Sequence, residues 1–473
     1  MMHRFSQLKP RSASSIPCVI LALSALLLSS ADSQAAEPWR LDNQLNTPDW
    51  FRFSGEYRVR YETLDGQFRT TGIRGDQALA TRLLLEAALD YKTLTLVGEL
   101  EDSRQYLNDA GSPLNSGMVN TLEPLQAYLR WDASELLDGD QKASLTLGRQ
   151  SFDLGSRRLF ARNRYRNTLN AFNGARAQWT FSGGQSLQAM YLFPVHRLPT
   201  SRASLLDNDS QLDRESFDYQ FWGAFFDTPT LPWNSTGEFY LFGLHENDDA
   251  KRSTRNRQLI TPGFRVHRKP ARGALDYQLE SVFQFGRSRA TTAAADTRDL
   301  AHLAHFQHLT LGYTFDSTWS PRVAFQYDYA SGDSNPADGQ NNRFDTLFGA
   351  RRFEHGPTGV FGAFARGNIN SPGYRLILKP RANLELMAAH RLYWLASDTD
   401  AWTTSGLRDA TGAAGHFVGN QIEARARWDV FPKNLRLEAG VARLFAGEFI
   451  RNAPNNTGQR DATYGYFQAA LKF

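Results

Sequence analysis

The chain has 473 residues, 41% of them hydrophobic, 12% aromatic and 22% charged, and its 53 basic and 49 acidic side chains leave a net charge of +4. That near-balance names no partner on its own and calls for no nucleic acid, while the single cysteine, Cys18, excludes a disulfide-stapled scaffold. No run of 18 apolar residues occurs, which excludes helical membrane spans; a negative mean hydropathy suits a water-filled barrel as well as a soluble protein, because half of every barrel strand faces water.

The N-terminus reads as an export signal. Arg4, Lys9 and Arg11 form a basic n-region, residues 16–28 are apolar, and small residues at Ser33 and Ala35 suit cleavage after Ala35 or Ala36. Residues 1–35 are therefore expected to be removed, leaving a periplasmic segment at 36–49 and a barrel over 50–473. Cys18 precedes most of the apolar stretch, which argues against a lipoprotein, and the mature chain has no cysteine and a charge of about +2.

From residue 50 onward the hydrophobic period is 2. In "FRFSGEYRVRYE" (51–62), Phe51, Phe53, Tyr57, Val59 and Tyr61 share one face, and Arg52, Glu56, Arg58, Arg60 and Glu62 share the other. A face carrying five charges is stable only if it is wet. Strands are predicted at 79–91 and 93–106 around a turn at Tyr91–Lys92, then at 123–133 and 141–150. An arginine-rich loop at 151–172 follows, and then strands at 173–182 and 185–194 around Gly183–Gly184. Further strands are predicted at 215–227, 235–246, 258–268, 274–286, 305–316 and 319–331. One more falls somewhere in 360–379, and the last four at 383–395, 418–430, 434–446 and 462–473.

Short turns such as "LKPRAN" and "VFPKNL" alternate with long polar loops such as "SGDSNPADGQNNRFD", which puts both termini at the periplasmic end. The final stretch, "TYGYFQAALKF", alternates over 11 residues, the length of one membrane-crossing strand, and reads as the strand that closes on the first. The expected fold is all-β, a transmembrane antiparallel barrel of about 18 strands in the bacterial outer membrane, among lipid and lipopolysaccharide. Sixteen is the alternative count, because 343–380 shows no clear alternation. Strict alternation places Arg149 and Arg443 on the lipid side, so that each either lies at the rim or is turned inward, Arg149 by a bulge at Gly148.

The strongest chemical signal is "RQSFDLGSRRLFARNRYRNTLNAFNGAR" (149–176), with seven arginines and one acid, Asp153. Guanidinium groups hold carboxylates by two-point contacts, and a ring of them in a pore concentrates anions. The alternative is a basic outer loop pairing with lipopolysaccharide phosphates. A second basic cluster surrounds Lys251, Arg252, Arg255 and Arg257. Alternation turns Arg58, Arg60, Arg82, Arg130, Arg176, Arg425 and Arg427 inward, together with Glu56, Glu86, Glu99, Glu101 and Glu423, so the walls carry both signs. "DSNPADG" (333–339) has the oxygens of a calcium loop without its spacing and reads as a turn. His302, His305 and His308 carry only a weak metal signal, neither G-x-S-x-G nor H-E-x-x-H occurs, and nothing calls for a cofactor or an enzyme.

"SGEYRVRYE", "LEDSRQYLND", "GRQSFDLGSRRLF", "FNGARAQW", "YASGDSNPADGQNNRFDTLFG", "HRLYWLASDTDAW" and "GHFVGNQIEARARWDVFPKNLRLEAGVARLFAGEFI" occur in an order that resembles the alginate export family of outer-membrane porins. The resemblance implies a monomeric barrel of eighteen strands whose constricted pore is lined by arginines and suited to an acidic uronate polysaccharide. Within those motifs lie Arg58, Arg60, Arg104, Arg149, Arg157, Arg158, Arg176, Arg425 and Arg427. The expected function is passive passage of an anionic solute, foremost export of a polymer such as alginate, with periplasmic partners. Uptake of small organic acids or aromatic compounds is the rival within transport, and a barrel enzyme or surface receptor the rival outside it.

Overall fold

The computed structural model describes residues 38–72, 74–248 and 252–473. The expected signal over 1–35, with Cys18 and the cleavage position, lies outside them, as does Lys251. Ten strands form the first part of one antiparallel sheet: β1 (Phe51–Asp65), β2 (Gly75–Tyr91), β3 (Leu94–Tyr106), β4 (Asn120–Asp132), β5 (Lys142–Gln150), β6 (Phe172–Thr180), β7 (Ser186–Pro194), β8 (Tyr219–Leu231), β9 (Ser235–Glu246) and β10 (Gln258–Arg268). It continues through β11 (Ala274–Ser288), β12 (Leu300–Thr314) and β13 (Arg322–Ala330), then β15 (Ile369–Arg381), β16 (Leu384–Trp394), β17 (Phe417–Phe431), β18 (Leu435–Ala446) and β19 (Ala462–Lys472). Between them β14 (Gln340–Asn341) adds only a two-residue parallel pairing to β12. Eighteen strands therefore make the wall.

The wall closes where β1 pairs with β19, Tyr57 opposite Leu471 and Tyr61 opposite Phe467, so no strand keeps an unpaired edge in a medium that offers no water. Phe473 extends the closure by exchanging backbone hydrogen bonds with Gly55 at 2.9 and 3.0 Å. Its ring lies where a side chain on residue 55 would stand, since a Cβ there would meet Phe473 Cε2 at 2.4 Å, which is why Gly55 has none. At the same periplasmic end Trp39 donates its N–H to Asn434 Oδ1 (2.9 Å), tying the segment with the short helix Leu41–Leu45 to the β17–β18 turn.

Alternation sorts side chains by solvent. Tyr57, Tyr61, Leu96, Leu129 and Leu147 are exposed on the outer face, where lipid meets them, whereas Arg58, Arg60, Arg82 and Glu101 are almost wholly covered inside. The buried apolar cluster is inside the barrel: Phe160, Phe172, Phe221, Phe306 and Phe361 have at most 1% exposure. Each contributes on the order of 1.5–3 kcal/mol toward holding material in the lumen.

Three differences from the sequence reading have local causes. β12 begins at Leu300, so His302 lies in the strand. The uncertain stretch contains one strand, β15, and 343–368 is a lumenal loop with a single helical turn, Arg352–His355; its apolar residues do not alternate because they pack inside the barrel. In β4 the pairing with β3 slips, Glu99 facing Gln126 while Leu100 faces Pro124. Leu125 is the extra residue, next to a proline that has no N–H for the ladder.

Candidate functional site

Two loops meet inside the lumen, 151–171 between β5 and β6 and 331–368 between β13 and β15. They pair backbone to backbone, Phe348 N–H donating to Leu159 O and Ala350 N–H to Arg157 O, both at 2.9 Å. This approach needs Gly349, because a Cβ there would fall 1.7 Å from Arg158 O. Phe160 stacks on Phe172 (4.3 Å between centroids) and lies against Phe221 and Phe348 (5.3 and 6.1 Å). Charge locks the junction. Arg158 donates to Glu280 of β11 (2.5 Å) and to Glu354 of the second loop (2.8 Å), and Arg366 donates to the other oxygen of Glu354. Burial alone would raise the Glu354 carboxyl, but Arg158 and Arg366 outweigh it and hold it well below the usual range. Arg162 anchors the first loop to Glu99 (2.5 Å), and Arg352 anchors the second to Glu423 (2.6 Å).

The joined loops form a septum with a cavity on each side. The extracellular cavity, about 1020 Å³, is lined by eight arginines and two carboxylates, Glu62 and Glu215. The periplasmic one, about 950 Å³, is lined by twelve basic side chains against four carboxylates. Asn163 borders both. Carboxylates behind the lining neutralise part of the excess, as Glu246 and Asp345 do for Arg257 (2.7 and 2.9 Å).

Several guanidiniums have no ion pair among the described residues. In the extracellular cavity Arg166 donates to Asn170 Oδ1 (2.5 Å) and Arg197 to the same oxygen (2.9 Å). Arg351 stands near them, and burial followed by its neighbour Arg366 lowers it to about 10, so it stays charged at neutral pH. Burial and then Arg197 disfavour the charge of Arg166. In the periplasmic cavity Arg58, Arg157, Arg164 and Arg375 likewise make no ion pair. Crowded, partly desolvated cations without counter-charges give an electrostatic field that an anion relieves.

The sequence-derived arginines separate into groups. Arg58, Arg82, Arg157, Arg425 and Arg427 line the periplasmic cavity and Arg60 the extracellular one. Of these, Arg60 is paired to Glu62 (2.6 Å), Arg82 to Glu56 (2.6 Å), Arg425 to Glu385 (2.8 Å) and Arg427 to Glu438 (2.8 Å). Arg157 lies over the Phe353 ring at 3.9 Å. Arg130 and Arg176 flank Thr146 on the inner wall outside both cavities, Arg176 over the Phe152 ring at 3.9 Å.

Three placements correct the expectation of a pore-lining role. Arg158 is enclosed by Glu280 and Glu354 and has its charge spent there. Arg104 shares the outer face with its partner Asp102 (3.0 Å), because β3 turns Glu99, Glu101 and Ser103 inward and leaves residue 104 on the opposite parity. Arg149 takes the rim alternative, since β5 has no register shift at Gly148; at the upper end of the strand it pairs with Glu123 and with Glu215 (2.9 Å). Arg443 does the same at the end of β18, beside Thr463 Oγ1 (3.2 Å) and Asp461 (3.4 Å).

Sequence reasoning missed Arg40, Arg197, Arg214, Arg351, Arg352, Arg366, Arg375 and Arg436 as lining residues, and identifies Arg164 and Arg166 only as members of the basic stretch 149–176. The i, i+2, i+4 spacing of Arg162, Arg164 and Arg166 in "ARNRYRN" would put all three on one side of a regular extended segment, so spacing alone gives no sign that Arg164 lines the periplasmic cavity and Arg166 the extracellular one. His302 and His308 point inward, and His308 Nδ1 meets Asp328 at 2.8 Å, while His305 stacks outside on Tyr329.

Solved structures with the same architecture are outer-membrane porins. Acinetobacter baumannii OccAB3 is 12% identical with a TM-score of 0.56, the match covering 89% of this chain and 99% of that one. Pseudomonas aeruginosa OccK8 (OprE) is 13% identical with a TM-score of 0.55, covering 89% and 98%. OprD from Pseudomonas aeruginosa is 14% identical with a TM-score of 0.52, covering 89% and 93%. No curated protein matches the chain. The family model described as alginate export matches residues 49–463, nearly the whole barrel. This chain belongs to the alginate export family, outer-membrane channels rather than enzymes.

Proposed function

We propose that the channel passes carboxylate-bearing solutes, and that its substrate is an acidic uronate polysaccharide leaving the cell. The observation that carries this reading is the excess of arginine on both sides of the septum, eight against two above and twelve basic groups against four below. A polymer with one carboxylate per sugar meets cations along its whole path, each contact weak enough to release. Arg58, Arg82, Arg157, Arg425 and Arg427 are the periplasmic contacts, and Arg60 belongs to the extracellular side. Passage is passive and through a single barrel, whose wall closes on itself from β1 to β19. Export calls for a periplasmic partner that delivers polymer near Arg40 at the periplasmic mouth.

Uptake of small organic acids is the second reading, favoured by the apolar packing of the two loops between the cavities. Flux separates the two. Liposomes carrying the refolded barrel are loaded with galacturonate oligomers of increasing length, and efflux is followed against neutral maltodextrins of matched length. Release of long uronates ahead of the neutral chains supports export; passage of monomers alone supports the small-acid reading.

A further inference from the structure

Within the septum, loop segment 164–167 is held by arginine in an unusual way. Arg58 donates to the carbonyls of Arg164 (2.8 Å), Tyr165 (3.3 Å) and Arg166 (3.1 Å) and to Asn167 Oδ1 (2.8 Å). Arg82 donates to the carbonyls of Arg164 (3.0 Å), Arg166 (3.2 Å) and Asn167 (3.4 Å), and Arg60 to that of Tyr165 (2.7 Å). The Tyr165 ring lies under Arg60 (4.6 Å) and Arg352 (4.8 Å), one from the wall and one from the second loop. Three wall guanidiniums thus hold four consecutive carbonyls of one loop segment, Arg60 and Arg82 while each also pairs with a glutamate, Glu62 and Glu56 (both 2.6 Å). Arg58 makes no ion pair among the described residues, and both Arg58 and Arg82 line the periplasmic cavity, from which substrate would come.

We propose that these carbonyls stand in for substrate carboxylates, and that an arriving polyanion takes over Arg58 and Arg82 and so frees segment 164–167 from the wall. This rests on the carboxylate reading above and adds a specificity device to it. A neutral carbonyl is the weaker partner for guanidinium, and a carboxylate binds both prongs of the fork with full charge. A solute with carboxylates can make that exchange, whereas a neutral sugar offers hydroxyls no better than the carbonyls it would displace. Arg58 and Arg82 thereby select the solute that opens the septum instead of merely attracting it. The chloride that enters an anion channel lacks the two-point geometry and leaves the segment in place.

Hydrogen–deuterium exchange of the refolded barrel tests this. The amides of Thr168, Leu169 and Asn170, bonded to Gly117 O (3.3 Å), Glu101 (3.2 Å) and Arg162 O (3.1 Å), report on the segment's C-terminal end. Tetragalacturonate is expected to speed their exchange about tenfold, the factor that about 1.4 kcal/mol of differential binding supplies, while maltotetraose leaves it unchanged. The double variant Arg58→Gln, Arg82→Gln should exchange fast without the oligomer and respond no further, its folding checked by heat-modifiable gel mobility. If it does not refold, the wild-type comparison decides alone. Slowed or unaltered exchange with calorimetric binding of the uronate overturns the displacement and leaves the carboxylate channel standing. Absence of uronate binding overturns both.

Discussion

The septum should open when its ionic lock is cut. Glu354 accepts hydrogen bonds from Arg158 and Arg366 while all three side chains are buried to within 4%. In Glu354→Gln, Arg158 retains Glu280 at 2.5 Å, but Arg366 keeps only the carbonyl of Ala350 at 2.7 Å. Stranding one partner of a buried ion pair costs about 3–5 kcal/mol, and because one cation keeps a carboxylate the lower end, about 3 kcal/mol, applies here. At about 1.4 kcal/mol per factor of ten, the loops should separate about a hundredfold more often. The wall does not depend on this contact, since the eighteen-strand ladder is closed by backbone bonds from β1 to β19. Single-channel recordings in a planar bilayer are the assay. The wild type should show a small steady conductance, and Glu354→Gln frequent steps to a larger one, with gel mobility confirming a folded barrel. A folded variant with wild-type step size and dwell times would show that the two loops do not form the barrier.

Further consequences follow from the same contacts. Gly349→Ala puts a Cβ 1.7 Å from Arg158 O, so the loops must part; its conductance should resemble that of Glu354→Gln, and a wild-type trace would refute the backbone pairing. The extracellular loop around residue 213 should loosen with rising pH. Burial and then Glu123 raise the Asp213 carboxyl to about 7. A carboxyl raised on folding from an ordinary value of about 3.9 stabilises the docked loop fully below that value and loses the contribution as pH rises through about 7. Exchange at the amides of His196, Leu198 and Arg214, corrected for intrinsic rates, should therefore quicken from pH 6 to pH 8 in the wild type. In Asp213→Asn it should stay flat; equal slopes would remove Asp213 as the cause.

Much of the wall was legible because a barrel strand carries its orientation in its own residues. Period 2 in 51–62 separates Tyr57 and Tyr61 from Arg58 and Arg60 without any knowledge of neighbours, and glycine or proline turns mark the short ends. The lumen was not legible in this way. Whether an arginine attracts solute or is already neutralised depends on partners far along the chain, as when Arg158 meets Glu354, 196 residues away. Local parity fails where the ladder slips, as at Leu125; at Arg149 and Arg443 it holds, and each charge is tolerated on the outer face because it stands at the rim beside an acid. The loop at 343–368 resisted reading because its phenylalanines and alanines pack inside a barrel against another loop, a pattern that has no period. The arginines that remain uncompensated, Arg58, Arg164, Arg166 and Arg351 among them, stand out only once those pairings are known.

The central claim, that the lumen is built for anions, is tested most directly by the reversal potential of single channels across a potassium chloride gradient. The arginine excess predicts a potential displaced toward chloride, with Arg164→Glu and Arg351→Glu together moving it toward potassium. A wild-type potential on the potassium side, or one that the two substitutions leave in place, would contradict the account.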